Sequence, residues 1–218
     1  LKHLRDIKTA VPGATVNDVI LAICGGALRE YLDMRGELPD ETLVAMAPIN
    51  TRTPDDASTA GNMVATMMVP LHTDIADPVS RLRAIRKATA DAKETSNAVS
   101  ARQMTDLTRH IPSATTALAG RLVTGLGLGH RAVRLCNCTV TNVPGPQQAL
   151  YFNGAKLLMS TGCGPVLDGM GLIITAMSYH GEIVFSFTGC REVTQDPEQL
   201  SKCTRKAIRA LKKAAAAA

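Results

Sequence analysis

The residues of this chain that could do chemistry fall into two short polar motifs, each set in an apolar frame. Thr15-Val16-Asn17-Asp18-Val19 opens a helix-like stretch, and Thr141-Asn142-Val143-Pro144-Gly145-Pro146 closes a strand-like one. Asparagine amides and the free N–H groups at a helix start are donors suited to developing negative charge. On spacing alone the first motif reads as a helix cap and the second as turn chemistry. The five histidines, His3, His72, His110, His130 and His180, include no adjacent pair and no HExxH, so none forms a recognisable catalytic or metal-binding set. Cys24, Cys136, Cys138, Cys163, Cys190 and Cys203 contain no CxxC, and a metal site is not expected. Cys136 and Cys138 stand two apart, which on a strand puts both thiols on one face as small core hydrophobes. Scattered, unpatterned thiols suit a reducing cytosol. No GxSxG is present, and Gly125, Gly127 and Gly129 follow a helix rather than a strand, which argues against a nucleotide loop.

Behind the first motif, apolar spacing predicts a helix over Thr15–Met34, with Val16, Val19, Ile20, Ile23, Ala27 and Leu28 as its stripe. Thr15 is placed as N-cap and Asp18 as its capping-box partner. Gly25-Gly26 costs about 1 kcal/mol per glycine inside a helix, which points to close approach of another backbone. Strands are predicted over 43–49, broken late by Pro48, and over 63–71. Asp77-Pro78 opens a helix to about residue 97, with Val79, Leu82, Ile85 and Ala88 inward and Arg81, Arg83, Arg86 and Lys87 on the wet side. Residues 101–123 read as helical. A β-branched strand over 136–143 runs into the second motif, and a short strand is expected over 155–159. His180-Gly181 makes a tight hairpin between 172–179 and 182–188. Asp196-Pro197 opens the last helix, whose Lys202–Lys213 stretch reads as a solvated basic face. This order gives an α/β fold, a mixed-sheet two-layer sandwich with helices packed on the sheet. It is read as a single domain over residues 1–213, followed by a poly-Ala tail, 214–218, with no assigned function. The absence of an initiator Met makes the chain read as a piece of a longer protein.

Composition narrows the classes. Of 218 residues, 45% are hydrophobic and only 3% aromatic, so the core is aliphatic and base-stacking nucleic-acid binding is not expected. No apolar run reaches the ~18 residues that span a bilayer. The net charge of +5 suits an anionic ligand or phospholipid surface, and is also ordinary for a globular domain.

Taken in order, Thr15-Val16-Asn17-Asp18-Val19, Gly61-Asn62, Thr141-Asn142-Val143-Pro144-Gly145-Pro146, the run Leu150–Leu157 (LYFNGAKL) and Ser178-Tyr179 resemble the C-terminal half of the bacterial wax ester synthase/acyl-CoA:diacylglycerol acyltransferase family. The resemblance runs from about residue 10 to 212. It implies half of a fold of the chloramphenicol acetyltransferase and condensation-domain type, in which two α/β halves face each other across a channel. The family's catalytic HHxxxDG belongs to the N-terminal half and is absent here. The implied catalytic residues in this chain are therefore none. Asn17, Asp18 and Asn142 are implied as site-supporting. Thr15, Gly61, Asn62, Thr141, Pro144, Gly145 and Pro146 are implied as motif or channel-rim positions. The implied partners are the HHxxxDG half, acyl-CoA as substrate with no further cofactor, and a fatty alcohol or diacylglycerol. The implied setting is cytoplasmic, with peripheral contact at a membrane or lipid droplet. Phe152, the Thr161–Pro165 segment and Ile173 depart from the family pattern and bear on pocket shape. The alternative is a non-catalytic lipid-binding or interaction module of the same fold, and a second is a condensation-type transferase using a carrier-protein thioester. The Gly25-Gly26 helix and the strand ending near Asn142 are expected to form the face left open for the partner half.

Overall fold

The computed structural model describes residues 1–50, 64–98, 136–166 and 170–218. The elements are α1 (Lys2–Lys8), α2 (Val16–Asp33), β1 (Val44–Asn50), β2 (Val64–Pro70), α3 (Pro78–Ala98), β3 (Cys138–Pro144), β4 (Tyr151–Phe152), β5 (Ala155–Lys156), β6 (Leu172–Tyr179), β7 (Glu182–Gly189) and α4 (Pro197–Ala215). Five strands form one mixed sheet in the order β2-β1-β3-β6-β7, with β1, β3 and β6 parallel and the two outer strands antiparallel. The expected helix over 101–123, the glycines 125–129, the Gly61-Asn62 motif, His110 and His130 lie outside the described residues.

The four helices lie on one face of the sheet. Val19, Ile20, Ile23 and Leu28 of α2, Leu82 and Ile85 of α3, and Leu200 and Leu211 of α4 meet Ala45, Val69, Val140, Ile174 and Ala176 from the strands. Leu21, Ala22 and Cys24 are buried as well, so α2 is enclosed nearly all round rather than along a stripe. Ala214 and Ala215 continue α4 and pack on this core, so the start of the alanine tail is part of the fold.

Local chemistry explains the element ends. Thr15 and Asp18 form the capping box at α2, and Asp196 caps α4 by accepting from the Gln199 amide at 2.9 Å, with Pro197 in the first turn. His180 (φ 46°) and Gly181 (φ 85°) both adopt left-handed dihedrals, as a two-residue turn matched to strand twist requires. The expected strand over 155–159 is instead the two-residue β5, paired only with β4 across Asn153-Gly154 and separate from the main sheet. The Asn-Gly pair is the local signal for that hairpin.

Two side-chain expectations are corrected. Arg81 is buried, not on the wet side of α3, because its guanidinium folds back to donate to the Ile75 and Ala76 carbonyls. The inward position near the middle of α3 is Thr89, whereas Ala88 is only half-buried.

Candidate functional site

The sheet opens at its centre. β1 and β3 are parallel, and their pairing is confined to Ala45–Cys138 and Met46–Thr139. Asn137 reinforces that end: its amide donates to the Val44 carbonyl at 2.8 Å, and its side-chain oxygen accepts from the Val44 amide at 2.7 Å. Beyond Met46 the two strands are no longer paired, although β1 continues to Asn50 and β3 to Pro144. Pro48 does not end β1, as its type had implied. It stays paired with Thr66 of β2 and lies where the ladder to β3 has ceased, so its missing N–H breaks nothing there. β1 connects outward to β2 and β3 outward to β6, so the gap between them is a topological switch point. Ligands of open α/β sheets sit at the carboxyl ends of strands flanking such a point.

The first motif is directed to that end. The middle of α2, at Gly25, lies against the Leu71 carbonyl, and Arg29, one turn on, donates to the Thr73 carbonyl at 2.5 Å. Leu71 and Thr73 both bond Leu43, beside the start of β1. α2 therefore runs antiparallel to β1 and β3, and its N-terminus, with Asn17, lies toward the ends marked by Asn50 and Asn142. Asn17 is half-buried, and its side chain makes no hydrogen bond among the described residues.

Asp18 has a different role. It is 1% exposed, and one carboxylate oxygen accepts from the Thr15 amide (2.7 Å) and the Thr15 hydroxyl (2.8 Å). The other accepts from the Thr89 hydroxyl of α3 at 2.7 Å. Asp18 thus caps α2 and ties it to α3, whereas the neighbouring Asn17 amide has no partner among the described residues. Thr89 was missed in the sequence, although its spacing after Leu82 and Ile85 continues their buried stripe.

The second motif is fixed by β6. Thr141, Asn142 and Pro144 pair in register with Thr175, Ala176 and Ser178. A methyl group on Gly145 would collide with the Ser178 carbonyl, and the Gly145 amide donates to the Ser178 hydroxyl at 3.1 Å. The Pro146 carbonyl accepts from the His180 amide at 3.1 Å. Next to Ser178, the Tyr179 hydroxyl accepts from the Leu150 amide (2.8 Å) and donates to the Leu157 carbonyl (3.0 Å), holding both ends of the β4–β5 hairpin. Ser178-Tyr179 therefore anchors both neighbouring motifs. Asn142 is half-buried near the end of β3, with no side-chain hydrogen bond among the described residues and none to Asn17. Thr141 is also half-buried, and Pro144 is exposed.

The expected open face is only partly borne out. Gly25 is buried against Leu71 and Arg81 within the chain's own core, and the half-buried Gly26 lies against Arg81 and Ala207. Near the end of β3 and along the β4–β5 hairpin and the segment after it, Val143, Leu150, Tyr151, Phe152, Leu157, Leu158 and Met159 are exposed, with Phe152 86% and Leu158 81% exposed; Met34, Met68 and Val193 are exposed elsewhere. From Leu157 the chain crosses the sheet face opposite the helices: Gly162 lies against Thr175 and accepts from the Ser186 hydroxyl, and Gly164 lies against Ile173.

Among the described histidines, His3 and His180 are exposed, and His72 sits 3.9 Å from the Asp74 carboxylate in a loop. No cluster of metal-ligating side chains occurs among the described residues. Cys24 and Cys138 are buried, which pushes both thiols up, Cys138 to about 12, and makes them inert packing.

The family model described as the WS/DGAT C-terminal domain matches residues 60–212. The chain belongs to this family. It is 42% identical over 184 residues to "Putative diacyglycerol O-acyltransferase Rv0895" of Mycobacterium tuberculosis, covering 82% of this chain and 35% of that protein. It is 38% identical over 201 residues to "Putative diacyglycerol O-acyltransferase Rv3480c" of the same organism, covering 89% of this chain and 39% of that protein. Among solved structures, the wax ester synthase/diacylglycerol acyltransferase from Marinobacter aquaeolei VT8 superposes with a TM-score of 0.72 at 29% identity, covering 99% of this chain and 47% of that one. The chain thus spans less than half the length of the relatives it matches. The fold expectation holds: this is a WS/DGAT-type mixed sheet with packed helices.

Proposed function

We propose that the protein carrying this chain is an acyl-CoA-dependent O-acyltransferase, and that this WS/DGAT C-terminal domain forms one wall of its reaction channel. The observation that carries the reading is the early end of the β1–β3 pairing at the switch point, with Asn17 and Asn142, whose side chains have no hydrogen-bond partner among the described residues, on the elements that flank it. The acceptor is a long-chain alcohol or diacylglycerol. Its hydroxyl loses a proton to a general base, and the oxygen attacks the thioester carbonyl. The C–S bond then breaks, and the CoA thiolate takes up the proton. A neutral-pH base of this kind is typically histidine, and no described histidine stands in a catalytic set. The family resemblance implies that the base is the second His of an HHxxxDG motif in an N-terminal half. Asn17 is the donor suited to the oxyanion or to positioning the thioester. Asn142 and the Pro144–Pro146 turn shape the rim. The exposed Tyr151, Phe152, Leu158 and Met159 suit burial against that other half. Insoluble products fit peripheral work at a membrane or lipid droplet, and the unpatterned thiols fit a reducing cytoplasm. No described helix is long and apolar enough to cross a bilayer.

Complementation tests this reading. The 218-residue chain alone should form no ester from acyl-CoA and a long-chain alcohol or diacylglycerol. The matching N-terminal half should restore turnover, and replacing the second His of its motif should abolish it. Robust turnover by the isolated chain would overturn the division of labour.

A further inference from the structure

A cavity that carries charged side chains lies at the other end of α2, away from the gap between β1 and β3. It measures about 270 Å³, against the ~10–15 Å³ needed for one water, and lies between α2, the start of α3 and α4. Its lining includes Gly26, Arg29, Glu30, Ala76, Arg81 and Lys206, three cations against one carboxylate. Arg29 is roughly 18 Å along the helix from Asn17, at 1.5 Å per residue.

The guanidinium of Arg81 is the unusual member. The residue is only 5% exposed, and no carboxylate pairs with it among the described residues. Its Nε and Nη2 donate to the Ile75 carbonyl at 3.0 and 2.6 Å, and Nη2 also reaches Ala76 at 3.1 Å. Its Nη1 has no hydrogen-bond partner among the described residues. That nitrogen lies over Gly26, where an added Cβ would come within 2.6 Å of it, so the glycine leaves room for the cation. Arg29 lines the same cavity. Its Nη1 serves the Thr73 and Asp74 carbonyls, and no carboxylate pairs with it either among the described residues. Lys206 pairs with Glu30 at the rim, with most of its side chain exposed. Burial and the neighbouring Arg29 charge lower the Arg81 pKa, while Asp77 and Asp74 oppose this from nearby. Nη1 is not enclosed by the protein: it keeps solvent access, so it is a donor that water or a bound anion can take up from the cavity.

We infer that this cavity is a binding site for a phosphate-type oxyanion, held by Nη1 of Arg81 and the free faces of Arg29 and Lys206. Guanidinium forks match tetrahedral oxyanions, and charge-assisted bonds are the strong ones. Glu30 stays with Lys206 at the rim and limits the charge the site takes. The site is remote from the gap between β1 and β3 and stands independently of the acyl-transfer reading. The phosphate can belong to a free phosphate species or to an anionic phospholipid headgroup, and two measurements separate these sources.

The full-length protein is titrated with inorganic phosphate by calorimetry at constant ionic strength. It is also floated with vesicles of phosphatidylcholine alone or mixed with phosphatidic acid. Arg29→Gln and Lys206→Gln are compared with wild type, leaving Arg81 to hold its loop. Saturable phosphate binding that weakens at least tenfold in either variant supports a free-phosphate site. Flotation only with phosphatidic acid, lost in both variants and without binding of inorganic phosphate, supports a headgroup site. Should Arg29→Gln fail to fold, Lys206→Gln on the solvent face of α4 carries the comparison. Absence of binding in both assays, or binding indifferent to the substitutions, overturns the inference.

Discussion

Replacing Asp18 by alanine should destabilise the protein by more than a helix cap alone would account for. A cap residue changed to alanine costs about 1 kcal/mol. Asp18 also accepts from the buried Thr89 hydroxyl, and all three of its donors face an almost fully buried carboxylate. Hydrogen bonds to charged groups contribute roughly 1.5–3 kcal/mol each, less whatever the donors recover. Recovery is available here: Thr15 is half-exposed to water, and Thr89 can keep its 3.1 Å bond to the Arg86 carbonyl. The expected loss is therefore about 2–4 kcal/mol for Asp18→Ala, and about 1–2 kcal/mol for Thr89→Val, which leaves the capping box in place. The double variant should fall short of additivity by about 1 kcal/mol, because both singles remove the same bond. Urea unfolding reads this as a lower midpoint at unchanged slope. A loss below about 0.5 kcal/mol for Asp18→Ala would refute the tie between α2 and α3. So would lost turnover at unchanged stability, which would move Asp18 into the chemistry.

Three further outcomes are expected. In the complete enzyme Asn17→Ala should lower kcat with little change in Tm, since its side chain has no partner among the described residues to lose; equal activity would remove it from the site. Gly25→Ala places a methyl group against the Leu71 carbonyl and Gly145→Ala places one against the Ser178 carbonyl, so each should cost roughly 2–3 kcal/mol in thermal unfolding, and unchanged Tm values would contradict the packing. In thiol labelling at pH 8 the exposed Cys163 should react first, while Cys138, pushed up to about 12 and buried, holds roughly 10⁻⁴ of its thiolate and should label only on unfolding; raising the pH toward 9 should not expose it.

The parts legible in the sequence were those written locally. The Thr15–Asp18 capping box, the His180-Gly181 turn and the Asp196-Pro197 helix start each need only neighbours along the chain, and each stands where its residues implied. What depends on distant partners was not legible. Gly25-Gly26 correctly signalled a close backbone approach, but which surface approached, the chain's own Leu71 rather than another half, is fixed by the sheet. Arg81 sits at a position that reads as solvent-facing. Its burial follows from carbonyls in the loop before α3, whose path no periodicity reports. The adjacency of β1 and β3 joins segments about 90 residues apart, and the early end of their pairing, at Met46–Thr139, is set by that adjacency and by no local pattern.

That adjacency also bears on how the chain folds. β1–β2 and β6–β7 are hairpin-like pairs with local connections, whereas the ladder between β1 and β3 has two register pairs to set against the closure of a long loop. Closing about 90 residues costs roughly 4 kcal/mol from the length-dependent part of the chain entropy alone. So few rungs do not recover that by themselves. The middle of the sheet must wait for α2, which packs across both parts, and the seam between β1 and β3 is expected to be the last region to assemble and the first to open.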